Sequence, residues 1–291
     1  MDAEEAAENK RWRRDAELLA ARGDVDGLLA AALIQHTQLN RPLPALILLD
    51  RANALDPRRA DVAWIDLQLC QEVSFCDTRP RAERVRKLDP QNAAGWYSEL
   101  RHARENGDPH TEDAALASMA ATSHFNIHYN QVVWRAAEAL QATDPRTGKP
   151  LWTRAEASSA AIGWVAYLGI PTFTPVSQTC KDDRLQRPET AQRCKALVSV
   201  LEAGDTYIAE AIGFAIGRRV WPDDSPERQA LENRGQSSQY YRKISAEILP
   251  ELSSEEQALE WLELLRSHSR EQDAFQTMLR LHGRAVVAPP D

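Results

Sequence analysis

The sequence lacks most of the features by which strands and membrane spans are recognised. Only 12 of its 291 residues are glycine, β-branched runs are few, and no segment alternates apolar and polar residues as a half-buried strand does. The longest apolar run, AIGWVAYLGI at 161–170, is about half of the roughly 20 residues that a membrane-spanning helix needs. Ala, Leu, Glu, Arg and Gln dominate instead, and these residues lose least on entering a helix. The composition therefore predicts an all-α fold class and no membrane insertion.

Positive charge is also scarce. The chain has 35 basic and 43 acidic residues, a net charge of −8, and its one basic cluster, KRWRR at 10–14, lies within an acidic amphipathic helix. A nucleic-acid partner is therefore not expected, because phosphate binding needs a clustered basic face. The first residues, MDAEEAAENK, are acidic, whereas a signal peptide begins basic and continues apolar. We expect a soluble, cytoplasmic protein; the alternative is a periplasmic or secreted one whose leader has been removed.

The four cysteines form two local pairs, Cys70 with Cys76 and Cys180 with Cys194. Neither pair has the C-x-x-C spacing of a zinc ribbon or a redox motif. Two interpretations remain open at this point. Disulfides within both pairs would indicate an oxidising compartment, whereas four buried free thiols would suit the cytosol.

Apolar periodicity and stop signals divide the chain into helices. The turn cluster DPRTG at 144–148 is the best candidate for a boundary, giving domains 1–148 and 149–291. The segment Pro171–Pro188 contains three prolines and is predicted to be one long loop, either a recognition element or an inert insertion tethered by Cys180 and Cys194. The predicted helices cover about 3–21, 24–40, 43–55, 60–73, 79–88, 92–106, 111–121, 127–143, 151–168, 189–203, 206–220, 226–248, 255–266 and 271–282.

One pattern of residues occurs twice. RANALDP and ERVRKLDP each end in Leu-Asp-Pro, with Leu55 and Leu88 33 residues apart, and each is followed by a tryptophan, Trp64 or Trp96. Proline ends a helix, so each step predicts a hairpin of two helices wedged by an indole. Over about 43–106 the chain resembles tetratricopeptide repeats, which are helix pairs of similar length closed by a proline. The resemblance implies an α-α superhelix, here continuing into a C-terminal helical bundle.

Catalytic signatures are missing from the sequence. It contains no H-E-x-x-H, G-x-S-x-G, Walker loop or G-x-G-x-x-G, and it predicts neither a cofactor nor a metal. The nearest metal-like feature is HFNIH, in which His124 and His128 are four residues apart. An enzyme or metal-dependent protein is accordingly the alternative function, with a site assembled near His124, His128 and the Pro171–Pro188 loop.

The resemblance to tetratricopeptide repeats implies a non-enzymatic scaffold that binds a peptide or a partner protein in a concave helical groove. Self-association into a homo-oligomer through exposed ends of the stack is a further expectation. Transferring the family's groove positions from the two tryptophans places six side chains in this groove: Ile65, Leu69, Glu72, Tyr97, Arg101 and Arg104.

Overall fold

The fold is all-α. The computed structural model describes residues 3–248 and 254–287, and these residues form sixteen helices, no strand and only two isolated β-bridges. The helices are α1 (Ala3–Ala21), α2 (Val25–Thr37), α3 (Pro42–Leu55), α4 (Ala60–Gln71), α5 (Thr78–Leu88), α6 (Ala94–Glu105), α7 (Pro109–Ala120), α8 (Tyr129–Leu140), α9 (Arg154–Gly169), α10 (Thr174–Thr179), α11 (Asp182–Leu185), α12 (Pro188–Glu202), α13 (Tyr207–Val220), α14 (Pro226–Ile248), α15 (Glu255–Ser267) and α16 (Glu271–Leu281).

Local sequence signals account for where the helices begin and end. Asp24 caps α2 by accepting the backbone N–H of Gly27, and Thr153 forms a reciprocal capping box with Glu156 at the start of α9. Gly23 follows α1 with φ +71°, a left-handed conformation that glycine adopts without a steric penalty. Such caps satisfy the backbone groups that a helix end leaves without partners.

Both Leu-Asp-Pro steps end a helix as predicted. The helices α3 and α5 stop at Leu55 and Leu88, and each is followed within a few residues by the next helix. The two tryptophans differ, however. Trp64 is fully buried and its Nε1 donates to the carbonyl of Gly169 at 2.9 Å, whereas Trp96 is only partly buried beneath the guanidinium of Arg86. The superhelical arrangement stays a prediction.

The chain divides into two compact units, and each is built from three separate segments. The first unit comprises 1–81, 128–171 and 251–267, and the second comprises 82–127, 172–250 and 268–291. The predicted boundary between residues 148 and 149 falls inside the middle segment of the first unit, and it stays a prediction.

In the first unit α1 to α4 pack in sequence, α8 and α9 pack on α2 and α4, and α15 packs on α8 and α9. Three indoles anchor α1 there: Trp12 lies 4.9 Å from Trp152 and 5.9 Å from Trp164 between ring centroids. Burial of aromatic rings supplies large apolar area, and the tilted and edge-on geometries seen here are favourable.

In the second unit α12 packs between α7 and α13, and α14 packs on α13 and α16. Phe125, Tyr97 and Phe173 form the aromatic centre of this unit, with ring centroids 5.2–6.5 Å apart. No helix among the described residues of either unit combines the length and the apolar character needed to cross a membrane.

Candidate functional site

The six predicted groove residues separate into buried and charged groups. Ile65 and Leu69 are completely buried in the first unit, and Tyr97 is 1% exposed in the second unit. A side chain buried to this degree contributes to the core and cannot contact a partner while the unit is folded. The apolar part of the predicted groove is therefore used for packing.

The charged groove residues already have partners within the protein. Arg104 donates from Nη1 to Glu112 Oε1 at 2.6 Å and from Nη2 to Gln178 at 3.1 Å. Arg101 pairs with Glu105 one turn further along α6, at 2.7 Å. Arg104 is thus held against Glu112 and Gln178, whereas Arg101 forms an exposed pair on its own helix, and the role of both toward a ligand stays a prediction.

The segment Pro171–Pro188 is not the loop that the sequence predicts. It contains the short helices α10 and α11, and Pro175 and Pro188 occupy first-turn positions, where the missing N–H costs nothing. The prolines therefore begin helices here instead of prolonging a loop. A disulfide from Cys180 to Cys194, with α-carbons 5.7 Å apart, ties the segment to α12.

Glu112 holds this segment in place. Its carboxylate is 5% exposed and accepts hydrogen bonds from Thr179 at 2.6 Å and from Arg184 at 2.9 Å, in addition to the bond from Arg104. Arg184 also pairs with Asp113 at 2.6 Å. A segment fixed by a disulfide and a buried carboxylate is a packed structural element, and these contacts favour the tethered-insertion interpretation.

The two histidines proposed for a metal or catalytic site belong to different units. His128 lies in the first unit as the N-cap of α8, with φ +59°, and His124 lies in the second. Within the described parts of the chain, no group of three or more His, Cys, Asp or Glu side chains is placed to hold a metal ion. The spacing of four residues therefore does not bring together a ligand set there.

His124 instead joins a hydrogen-bonded chain in the second unit. Its Nε2 lies 2.8 Å from Asp89 Oδ2 and its Nδ1 lies 2.9 Å from Ser123 Oγ. A serine, a histidine and an aspartate in this order have the connectivity of a nucleophile, its base and the group that orients the base. The backbone N–H groups of 92–94 and 123–124 all donate to oxygens within the protein, so none of them is directed at a substrate oxyanion.

A second group of titratable residues links α13, α14 and α16. Glu210 accepts hydrogen bonds from the hydroxyl groups of Ser238 at 2.6 Å and Tyr241 at 2.8 Å. Glu271 accepts a hydrogen bond from the backbone N–H of Tyr207 at 2.9 Å. The pKa values of Glu210 and Glu271 are both raised, mainly by burial. The pKa of Glu271 reaches about 7. Every one of these hydrogen bonds joins two helices of the second unit, so the group fastens them together.

The first unit carries a surface that the sequence did not reveal. Phe75 is 73% exposed and Tyr167 is 68% exposed, although both are large aromatic side chains. Two further residues link these rings in part: the His36 ring centroid is 5.9 Å from that of Tyr167, and Glu72, in the same Cys70–Cys76 loop as Phe75, brings its Oε2 within 3.0 Å of His36 Nε2. We call these four residues the aromatic surface.

The loop that presents Phe75 is held rigidly. A disulfide joins Cys70 to Cys76, with α-carbons 5.4 Å apart, and encloses residues 71–75. Backbone bonds from Val73 to Cys70 and from Cys76 to Val73 fold the loop into turns, and the Val73 side chain is buried beneath it. The only advance signal was the short spacing of the two cysteines around an apolar residue, because exposure cannot be read from a sequence.

His36 of the aromatic surface and Gln68 of α4 carry buried nitrogens without a hydrogen-bond partner among the described residues. His36 is 7% exposed, and neither ring nitrogen makes a hydrogen bond, because the close approach to Glu72 is off-axis. Nε2 of Gln68, one turn before Glu72 on α4, is also buried without a partner. Buried polar groups are usually satisfied, and these nitrogens are among several buried polar atoms of the described residues that have no hydrogen-bond partner within the protein.

Comparison of the chain with protein-family models, with curated proteins and with solved structures finds no match.

Proposed function

We propose that the chain is a non-enzymatic protein-interaction module that binds a partner protein or peptide at the aromatic surface. The observation that carries the proposal is the 73% exposure of Phe75 at the tip of a loop closed by a disulfide. Exposing an aromatic ring to water is unfavourable, and a rigid loop loses little conformational entropy on binding. Aromatic residues of this kind dominate the binding energy at protein interfaces.

The two disulfides support a location for this activity. Structural disulfides persist in oxidising compartments, which supports the proposal that the protein acts in a periplasm, a secretory compartment or the extracellular space. Thiol counting under denaturing conditions on protein from its native host tests this part of the proposal. No titratable thiols are expected, whereas four would place the protein in a reducing compartment.

The binding proposal is tested by site-specific cross-linking in the native host. Benzoylphenylalanine replaces Phe75 in one variant and Leu281 in a control, because Leu281 is 65% exposed and lies in the second unit. A partner should be cross-linked from position 75 and not from position 281. The same partner should be captured by the wild-type chain and lost from the double variant Phe75→Ser and Tyr167→Ser.

Two outcomes would overturn the proposal. One is a partner that the double serine variant retains at unchanged helicity. The other is a cross-link that forms equally from both positions, because adhesion to any exposed apolar side chain explains that pattern.

A second candidate function is acyl transfer, which the Ser123–His124–Asp89 chain favours. Ser123 Oγ would attack an ester carbonyl while its proton passes to His124; the acyl C–O bond would then break, His124 would return the proton to the departing alcohol, and an acyl-serine would remain, with Asp89 orienting the ring. A fluorophosphonate probe tests this proposal. Labelling of Ser123 that is lost in His124→Ala supports it, and an unlabelled wild-type protein rejects it.

A further inference from the structure

The aromatic surface contains one carboxylate, that of Glu72, which contacts His36, and the His36 ring in turn lies 5.9 Å from the ring of Tyr167. The Glu72 side chain is 43% exposed, and it lies in the same disulfide-closed loop as Phe75, three residues earlier. A carboxylate beside aromatic faces is the combination that binds a cation, because the ion pair and the negative face of each ring attract the same charge.

The histidine next to Glu72 does not neutralise it. Burial lowers the pKa of the His36 imidazole below its ordinary value, although the negative charge of Glu72 raises it in the opposite direction. The titratable groups that face His36 are Glu72 from the end of α4 and Tyr167 from α9. Burial thus disfavours the imidazolium form of His36, so the ring does not offer Glu72 a full positive charge.

The charge of the whole unit has the same sign. The first unit contains 16 basic and 22 acidic residues, a net charge of −6, whereas the second contains 19 and 21, a net charge of −2. Fields of this kind accelerate association with a partner of opposite charge and suppress association with like-charged partners.

Resting on the proposed function, we infer that the aromatic surface recognises a lysine or arginine side chain, flanked by apolar residues, in a basic segment of the partner protein. The ammonium or guanidinium group pairs with Glu72 and lies against Phe75 and Tyr167. The apolar neighbours in the segment cover the remaining ring surface.

The test is selection of phage-displayed random 12-residue peptides on the full, oxidised chain at pH 7. Enriched peptides should carry Lys or Arg next to Leu, Phe, Tyr or Trp, and their binding should be lost on Phe75→Ser. An enriched peptide is then synthesised together with a version in which glutamine replaces its basic residue. Glu72→Gln and the glutamine version should each weaken binding about tenfold, which corresponds to roughly 1.4 kcal/mol for the charged contact.

Glu138→Gln is the matched control, because Glu138 is an exposed glutamate of the same unit on α8. It should leave the affinity unchanged, and Glu72→Lys should abolish binding of the basic peptide. Salt provides a second readout, since the affinity of the wild-type chain should fall between 50 and 200 mM while that of Glu72→Gln should fall less.

The outcomes separate this inference from the proposed function. Peptides that need Phe75 but are acidic, or that bind equally to wild type and Glu72→Gln, overturn the inference and leave the binding surface standing. Peptides whose binding does not depend on Phe75 and Tyr167, or a selection that yields no binder, overturn both the inference and the proposed function.

Discussion

At the scale of single residues, Glu271 is the carboxyl group whose ionisation is most strongly disfavoured by its surroundings. Burial raises its pKa to about 7, the backbone N–H of Tyr207 acts against this shift, and the charges of Asp205 and Glu210 add to it. Arg242 lowers the pKa only slightly. The folded second unit therefore holds a proton at Glu271 that the unfolded chain releases near its ordinary value of 4.5.

This difference gives a signed dependence of stability on pH. A folded pKa above the unfolded one means that the native state binds more protons between about 4.5 and 7, so the contribution of Glu271 decreases as pH rises through that window. Glu271→Gln mimics the protonated side chain and keeps an oxygen that can accept the N–H of Tyr207. We expect this variant to be more stable than wild type by about 3 kcal/mol at pH 8 and close to it at pH 4.5. Urea unfolding at both pH values measures this, and equal stabilities at pH 8 would contradict it.

Trp64 and Trp96 provide a second test at this scale. The repeated sequence pattern predicts the same packing role for both residues, but in the structure Trp64 is fully buried and Trp96 is only partly buried. Trp64→Phe removes a buried hydrogen bond to Gly169 and leaves a cavity, so it should cost about 3 kcal/mol of unfolding free energy. Trp96→Phe should cost less than about 1 kcal/mol, because the ring is partly exposed and its contact with Arg86 persists with phenylalanine. If urea unfolding gave equal losses of unfolding free energy for the two variants, the two tryptophans would have equivalent packing roles after all.

At the scale of secondary-structure elements, most helix limits could be predicted from the sequence. The limits of α1 and α14 agree with the predictions at both ends, and the breaks at Leu55 and Leu88 occur where aspartate and proline follow. These features are local, since periodicity, caps and proline act within a few residues. The helices α10 and α11 were missed because they are too short for periodicity and are stabilised by Glu112, some 70 residues away.

The candidate site was less predictable for the same reason. Glu72 was included from its repeat position, whereas His36 and Tyr167 come from helices distant in sequence and meet only through packing. Ile65 and Leu69 were assigned to the groove, although the structure buries both residues. A repeat position identifies the helix face, but it does not determine whether another helix covers that face.

Glu112 accepts hydrogen bonds from Thr179 of α10 and Arg184 of α11, and these contacts predict how much the segment depends on it. Glu112→Ala removes the buried carboxylate that Arg104 and Arg184 share, leaving Arg184 only Asp113, and should destabilise the second unit by about 3 kcal/mol. Protease cleavage between 180 and 188 should accelerate with it. The matched control is Glu105→Ala, which breaks the exposed pair with Arg101 and should cost at most about 0.5 kcal/mol. A loss that is no larger in Glu112→Ala than in the control would show that the segment is held by its disulfide alone.

At the scale of the whole molecule, the chain passes between the two units five times, at 81/82, 127/128, 171/172, 250/251 and 267/268. Neither unit is therefore a continuous stretch of sequence. A division after residue 148 separates α8 from α9 and α15, on which it packs, and separates α7 from α12. Each unit would lose packing partners, although the cut itself falls in an exposed turn at Gly148.

Because each unit contains segments from both sides of residue 148, cutting the chain there and producing its two halves separately should affect helicity and cooperative unfolding differently. A protease site inserted at Gly148 should be cleaved without loss of helicity, because Gly148 is exposed with nothing within 4 Å of its β-carbon position and both halves remain packed. The fragments 1–148 and 149–291, produced separately, should each lack a cooperative urea transition, since Trp64 then has no Gly169 to bind and α8 has no α9 to cover it. Circular dichroism of the cut protein and of the two fragments measures the difference. A fragment 1–148 that unfolds cooperatively would instead show that its helices form a domain without the later segments.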